Sequence, residues 1–152
     1  MKNYLEENLF IKNQISNSQF VKVEVTDFHL INTNFNIKLK NIDFNKFDEV
    51  SVILKNIKTK EIYICNTNLN KNSLILELSS LNYLCSDNEY MVLILCKKDT
   101  YFEVLYPIFK DYSNNISTNY QISTYSKVSW YLRIIDTGEF RLSTILKSNY
   151  CS

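Results

Sequence analysis

Asp136, Thr137 and Gly138, preceded by Ile134 and Ile135, spell the core of the motif with which acid proteases present a catalytic aspartate. That chemistry needs two such carboxylates side by side, sharing one proton because two like charges so close cannot both ionise. A single copy could act only by pairing with a second chain. The architecture also needs glycine at several tight turns, and Gly138 is the only glycine among 152 residues. Glu139 would bring in a third carboxylate. A structural reading fits better. Asp136 and Thr137 make a type I turn, and Gly138 takes the left-handed conformation that closes a bulged hairpin. Gly138→Val is expected to damage the hairpin and the fold, and Asp136→Asn to leave any activity largely intact.

Other sets of reactive residues are thinner. His29, the only histidine, lies two residues after Asp27, so both side chains share one face of a strand. A general-base pair is conceivable there, but no serine or cysteine nucleophile can be placed beside it. Asp43, Asp48 and Glu49, and again Asp87 and Glu89, lack the spacing of a calcium loop and read as solvated turn residues. Cys65, Cys85, Cys96 and Cys151 have no C-x-x-C spacing. Cys65 and Cys96 fall in apolar strand patterns and read as buried free thiols. A nucleotide cradle needs several glycines, so no phosphate loop is possible. No catalytic residue, metal or cofactor is expected.

Composition narrows the classes further. Seventeen basic residues against sixteen acidic ones leave a formal charge of +1, without the basic excess of a nucleic-acid binder. Only Arg133 and Arg141 carry a guanidinium, so forked recognition of anions is confined to that region. Tyr, Phe, Asn, Ile and Lys are abundant, while Ala is absent and Gly and Pro occur once each. These are the marks of an A/T-rich coding sequence, as in low-GC bacteria, and they discount tyrosine abundance as a functional sign. The N-terminal stretch lacks a long apolar run and no segment is long enough to span a membrane. A cytoplasmic protein is expected.

The elements that position these residues follow a period of two. Val21, Val23 and Val25 alternate with Lys22, Glu24 and Thr26; Phe35, Ile37 and Leu39 alternate with Asn36, Lys38 and Lys40. Val50, Val52 and Leu54, then Ile62 and Ile64, then Leu74, Leu76 and Leu78 repeat the pattern. Such segments are half-buried strands of antiparallel sheets. Glu89 to Lys97 is apolar on both faces and should be a central strand covered on both sides. A strand from Tyr101 follows, ending at Pro107. Only residues 3–12 hint at a helical period; a short helical turn is expected at Ser79 to Leu84. Residues 110–127 break the rhythm with Tyr112, Tyr120 and Tyr125 and read as a long loop or linker strand. Val128 to Ile135 and Phe140 to Leu146 form a final hairpin. The expected architecture is all-β: one antiparallel β-sandwich of immunoglobulin-like topology, with seven to nine strands, over residues 20–146. Residues 1–19 are an extension with a short helix, and 147–152 a tail.

The best surface feature is aromatic. Trp130 alternates with Leu132 and Ile134 and should be core, leaving Tyr131 and Arg133 on the opposite face. Tyr101, Tyr106, Tyr131 and Arg133 are therefore the expected ligand or partner contacts, as an exposed strip on the sandwich.

The stretch "VSVILKNIKTKEIYI" (Val50 to Ile64) resembles a strand–turn–strand pattern, "LVLKNRKTGEEY"-like, of the immunoglobulin-like accessory domains on Gram-positive glycosyltransferases of the teichoic-acid (CDP-glycerol glycerophosphotransferase-like) type. "LILELSSL" (Leu74 to Leu81) and "WYLRIIDTGEFRLS" (Trp130 to Ser143) are similar to their later strand and closing hairpin. The chain departs from the pattern by lacking glycine in the first hairpin and by its Tyr-rich insertion. The resemblance implies a non-catalytic accessory module tied to surface-polymer synthesis or glycan binding. The alternative is a stand-alone interaction protein, such as an immunity protein or a subunit of a biosynthetic complex. The expected partner is a protein or a glycan.

Overall fold

The computed structural model describes residues 4–17, 20–31, 34–77, 87–109, 128–135 and 137–146. Among the described residues, one helix, α1 (Tyr4–Asn17), precedes nine strands: β1 (Phe20–Ile31), β2 (Asn34–Leu39), β3 (Glu49–Asn56), β4 (Ile62–Asn70), β5 (Ser73–Glu77), β6 (Asn88–Lys98), β7 (Tyr101–Ile108), β8 (Val128–Ile134) and β9 (Phe140–Leu146). A single 3-10 turn, Phe44–Lys46, lies between β2 and β3; Asp43 caps it by accepting a hydrogen bond from the Asn45 N–H. The all-β, immunoglobulin-like expectation holds, with strands where the two-residue period placed them. The expected helical turn at Ser79 to Leu84, the Tyr-rich loop 110–127 and the tail 147–152 lie outside the described residues.

Strands pair in the order β3-β4-β5-β2-β1-β7-β6-β9-β8, and β6 pairs back onto β3. Two strands serve both sheets. β1 pairs through Phe20–Glu24 with β7 and through Val25–Ile31 with β2, and its register slips between Val25 and Asp27 where it changes partners. A bulge there adds the twist that a sheet-switching strand needs. β4 pairs through Ile62–Cys65 with β3 and through Asn66–Asn70 with β5. The pairings are antiparallel except β1 with β7, which run parallel, so the sandwich is mixed where a wholly antiparallel one was expected. The reason is topological. β1 closes the sheet by running alongside β7, and both travel in the same direction.

β6 is the central strand, and its two faces serve two apolar layers. Tyr90, Val92, Ile94 and Cys96 point between the sheets, together with Phe35, Ile37, Leu54, Leu74, Trp130 and Leu142. Leu93 and Leu95 point outward and join Ile53, Ile62, Val104, Tyr106 and Ile108, beneath Ile11 and Ile15 of α1. The helix therefore covers the outer face of the β7-β6-β3-β4 sheet. Its buried pair at positions i and i+4 is the amphipathic stripe that packing requires.

Candidate functional site

The final hairpin sorts its side chains by alternation. Val128, Trp130, Leu132 and Ile134 of β8, with Phe140 and Leu142 of β9, go into the inter-sheet core. Tyr131 and Arg133 take the other face, Tyr131 half-buried and Arg133 exposed. Arg133 lies directly opposite Arg141, and Ser143 of β9 faces Glu89 of β6 on its other side. The only two arginines of the chain thus stand side by side on one outer surface.

Their charges are matched by carboxylates. Arg133 Nη2 donates to Glu89 Oε1 at 3.1 Å, and Arg141 Nε lies 3.8 Å from the same oxygen. Arg141 Nη2 lies 2.8 Å from Glu139 Oε2 and Nη1 donates to the Tyr106 hydroxyl at 3.1 Å. Arg141 and Glu139 are largely buried, with side chains 14% and 18% exposed. Burial pushes the Tyr106 hydroxyl up to about 12; the Arg141 hydrogen bond pulls it down and Glu139 pushes it up. The arrangement can fasten the hairpin to β6 and β7.

Backbone groups complete the attachment. The Gly138 N–H donates to Ile135 O at 2.8 Å and the Ile135 N–H to Glu139 O at 3.1 Å, closing the turn. The Phe109 N–H donates to Gly138 O at 2.8 Å, which ties the turn to the end of β7. Gly138 has φ +86°. Asp136 lies outside the described residues.

The four expected contact residues do not form one strip. Tyr106 is buried, 6% exposed, because it faces the layer under α1, with its ring 6.3 Å from that of Phe20 and its hydroxyl held by Arg141. Tyr101 is 54% exposed but begins β7, while the Arg141 cluster sits at the other end, near Ile108. Seven residues of strand separate the two ends, about 23 Å at ~3.3 Å per residue. Tyr131 and Arg133 remain together. Alternation in sequence picked out this pair, but not its coupling to Glu89, Glu139 and Arg141, which depends on strand pairing.

The other candidates are placed as follows. His29 Nε2 lies 2.8 Å from Asp27 Oδ2, on an exposed part of β1. Asp48 accepts from the Asp99 N–H and Asp87 from the Leu146 N–H, so both stitch chain segments together. Cys65 and Cys96 are buried free thiols, each pushed up to about 12 by burial first, then by Glu77 and Glu103 respectively. Among the described residues no group of three or more His, Cys, Asp or Glu could hold a metal ion, and no helix is long and apolar enough to cross a membrane.

No family model matches the chain, and no curated protein matches it significantly. Among solved structures, the crystal structure of S. aureus TarS 217–571 shares its fold at a TM-score of 0.61 and 15% identity, covering 83% of this chain and 39% of that one. A second S. aureus TarS crystal structure gives a TM-score of 0.61 at 16% identity, covering 86% of this chain and 25% of that one. The chain therefore spans well under half of either TarS chain, and at this identity the likeness shows the fold alone.

Proposed function

We propose that this chain is a non-catalytic accessory module of bacterial surface-polymer synthesis, acting beside a glycosyltransferase. The observation that carries this reading is the fold shared with TarS across 83% of the chain. The sequence resemblance through Val50–Ile64, Leu74–Leu81 and Trp130–Ser143 to accessory domains of teichoic-acid-type glycosyltransferases supports the same reading. Within this reading Tyr131 and Arg133 are the contact pair, Tyr101 is a separate contact at the far end of the sheet, and Tyr106 positions Arg141 from beneath. The test has two parts. The purified chain is assayed with teichoic-acid polymer and nucleotide-activated sugars. It is also passed over a column bearing a teichoic-acid glycosyltransferase catalytic domain and over one bearing the polymer. No sugar transfer, with retention on one column that Arg133→Ala weakens, is the expected result. Transfer by the chain itself, or retention on neither column, overturns the proposal.

A further inference from the structure

Helix α1 does not cover the whole outer face of the sheet. Beside Phe10 and Ile11 it leaves a cleft of about 300 Å³, lined by Glu49, Val50, Ser51, Leu95, Lys97 and Phe102. One cross-strand row builds its rim, since Glu49 of β3 pairs with Lys97 of β6 and Lys97 with Phe102 of β7. Leu95 and Ile11, both buried, form the floor. Phe10 is 51% exposed and meets Phe102 edge to face, with ring centroids 5.7 Å apart at 72°. The two rings thus form an aromatic corner that water still reaches.

The polar groups of this cleft are uncommitted. Glu49, Ser51 and Lys97 make no side-chain hydrogen bond or ion pair among the described residues. Elsewhere on the same face, Glu89, Glu139, Arg133 and Arg141 are all engaged with one another. A half-exposed phenylalanine beside a free carboxylate, hydroxyl and ammonium gives a ligand with both apolar and hydroxyl faces a partner for each.

We propose that this cleft binds one uncharged sugar ring. The C–H face of a pyranose would lie on the Phe10–Phe102 corner, while its hydroxyls donate to Glu49 and accept from Lys97 and Ser51. Such charge-assisted bonds are the stronger kind available to a neutral hydroxyl. The rim carries one charge of each sign, so it offers no net attraction to either an anionic or a cationic ligand. The volume is at the lower bound for small-molecule sites and enough for a monosaccharide. Tyr101, on the opposite face of β7 from Phe102, is not part of it. The inference deepens the glycan side of the accessory-module reading but does not need the enzyme association.

The experiment is an amide-resolved titration of the full chain with glucose, galactose and maltose, and with glucose-6-phosphate as the charged counterpart. Shifts confined to residues 10–11, 49–51, 95–97 and 102, stronger for the neutral sugars, are expected. Glu49→Gln and Phe10→Ala change exposed side chains and should keep the amide spectrum while each weakening binding about tenfold. Absence of sugar-induced shifts, shifts elsewhere, or binding indifferent to both variants would overturn the proposal, as would a catalytic domain shifting these amides when no sugar does. Failure here with retention on the glycosyltransferase column leaves the accessory reading standing. Sugar binding without retention on either column removes that reading and keeps the cleft.

Discussion

Among the described residues, five hold left-handed backbone: Asn41, Lys60, Lys71, Asp99 and Gly138. Four of them are not glycine, so positive φ alone does not demand glycine in this chain. What separates Gly138 is contact. A Cβ there would lie 2.6 Å from Phe109 O and 2.9 Å from Ile108 Cγ2, where backbone must move to admit it. Gly138→Ala should lower stability by about 2–4 kcal/mol in urea unfolding, through both the φ and the clash. Lys60, at φ +68°, stands where the resembling hairpin pattern carries glycine. Lys60→Gly should raise stability by about 0.5–1 kcal/mol, because the strain removed exceeds the flexibility added to the unfolded chain. The two arginines divide in the same way. Arg141→Ala leaves Glu139 and Tyr106 without their buried partner and should cost about 2–3 kcal/mol. Arg133→Ala breaks a half-exposed pair and should cost under ~1 kcal/mol.

At the scale of elements, the outer layer under α1 distinguishes this sandwich from a bare one. Ile11 and Ile15 are 6% and 3% exposed and close over Leu93, Leu95 and Val104. Ile15→Asp buries an unpartnered carboxylate and should cost about 2 kcal/mol or more. Hydrogen exchange would locate the loss: protection should fall in α1 and hold in β2 and β5, whose buried residues belong to the inter-sheet core. Uniform loss across both layers would show instead that the helix is part of one cooperative core. The doubly apolar run of β6 announced in sequence that something covers its outer face. It did not say what, because a weak helical hint at residues 3–12 carries no information about where that helix docks.

At the scale of the whole molecule, three buried acids in different strands make stability fall at high pH. Cys65 and Cys96 are raised from 9.0 to about 12 and Tyr106 from 10.0 to about 12, all chiefly by burial. A raised folded-state value means that the folded chain holds its proton more tightly than the unfolded one. The stabilisation is complete below the unfolded values and is lost as pH climbs from about 9 towards 12. The urea midpoint should be insensitive to these groups at pH 7–8 and decline above pH 9. Replacing both cysteines by alanine should lower the midpoint overall but flatten that decline. A native chain whose Cys65 and Cys96 react freely with a thiol reagent at pH 8 would contradict the burial on which this rests.

The sequence by itself determined the local physics. Its two-residue period assigned strands and faces, sent Trp130 inward and Tyr131 and Arg133 outward, and marked the turn at Gly138. Those features depend on neighbours within a few residues, where alternation of side chains is a geometric certainty. Tertiary structure decided everything that depends on distant partners. It set the slip at Val25 that lets β1 serve two sheets and the parallel pairing of β1 with β7. It buried Tyr106 beneath Arg141, although its sequence neighbourhood matches that of an exposed strand-end tyrosine. It also brought Phe10 to Phe102, and Glu49 to Lys97, across separations that no periodicity encodes. Burial and charge pairing are properties of surfaces brought together by the fold, and a one-dimensional pattern shows which face a residue takes, not what that face will meet.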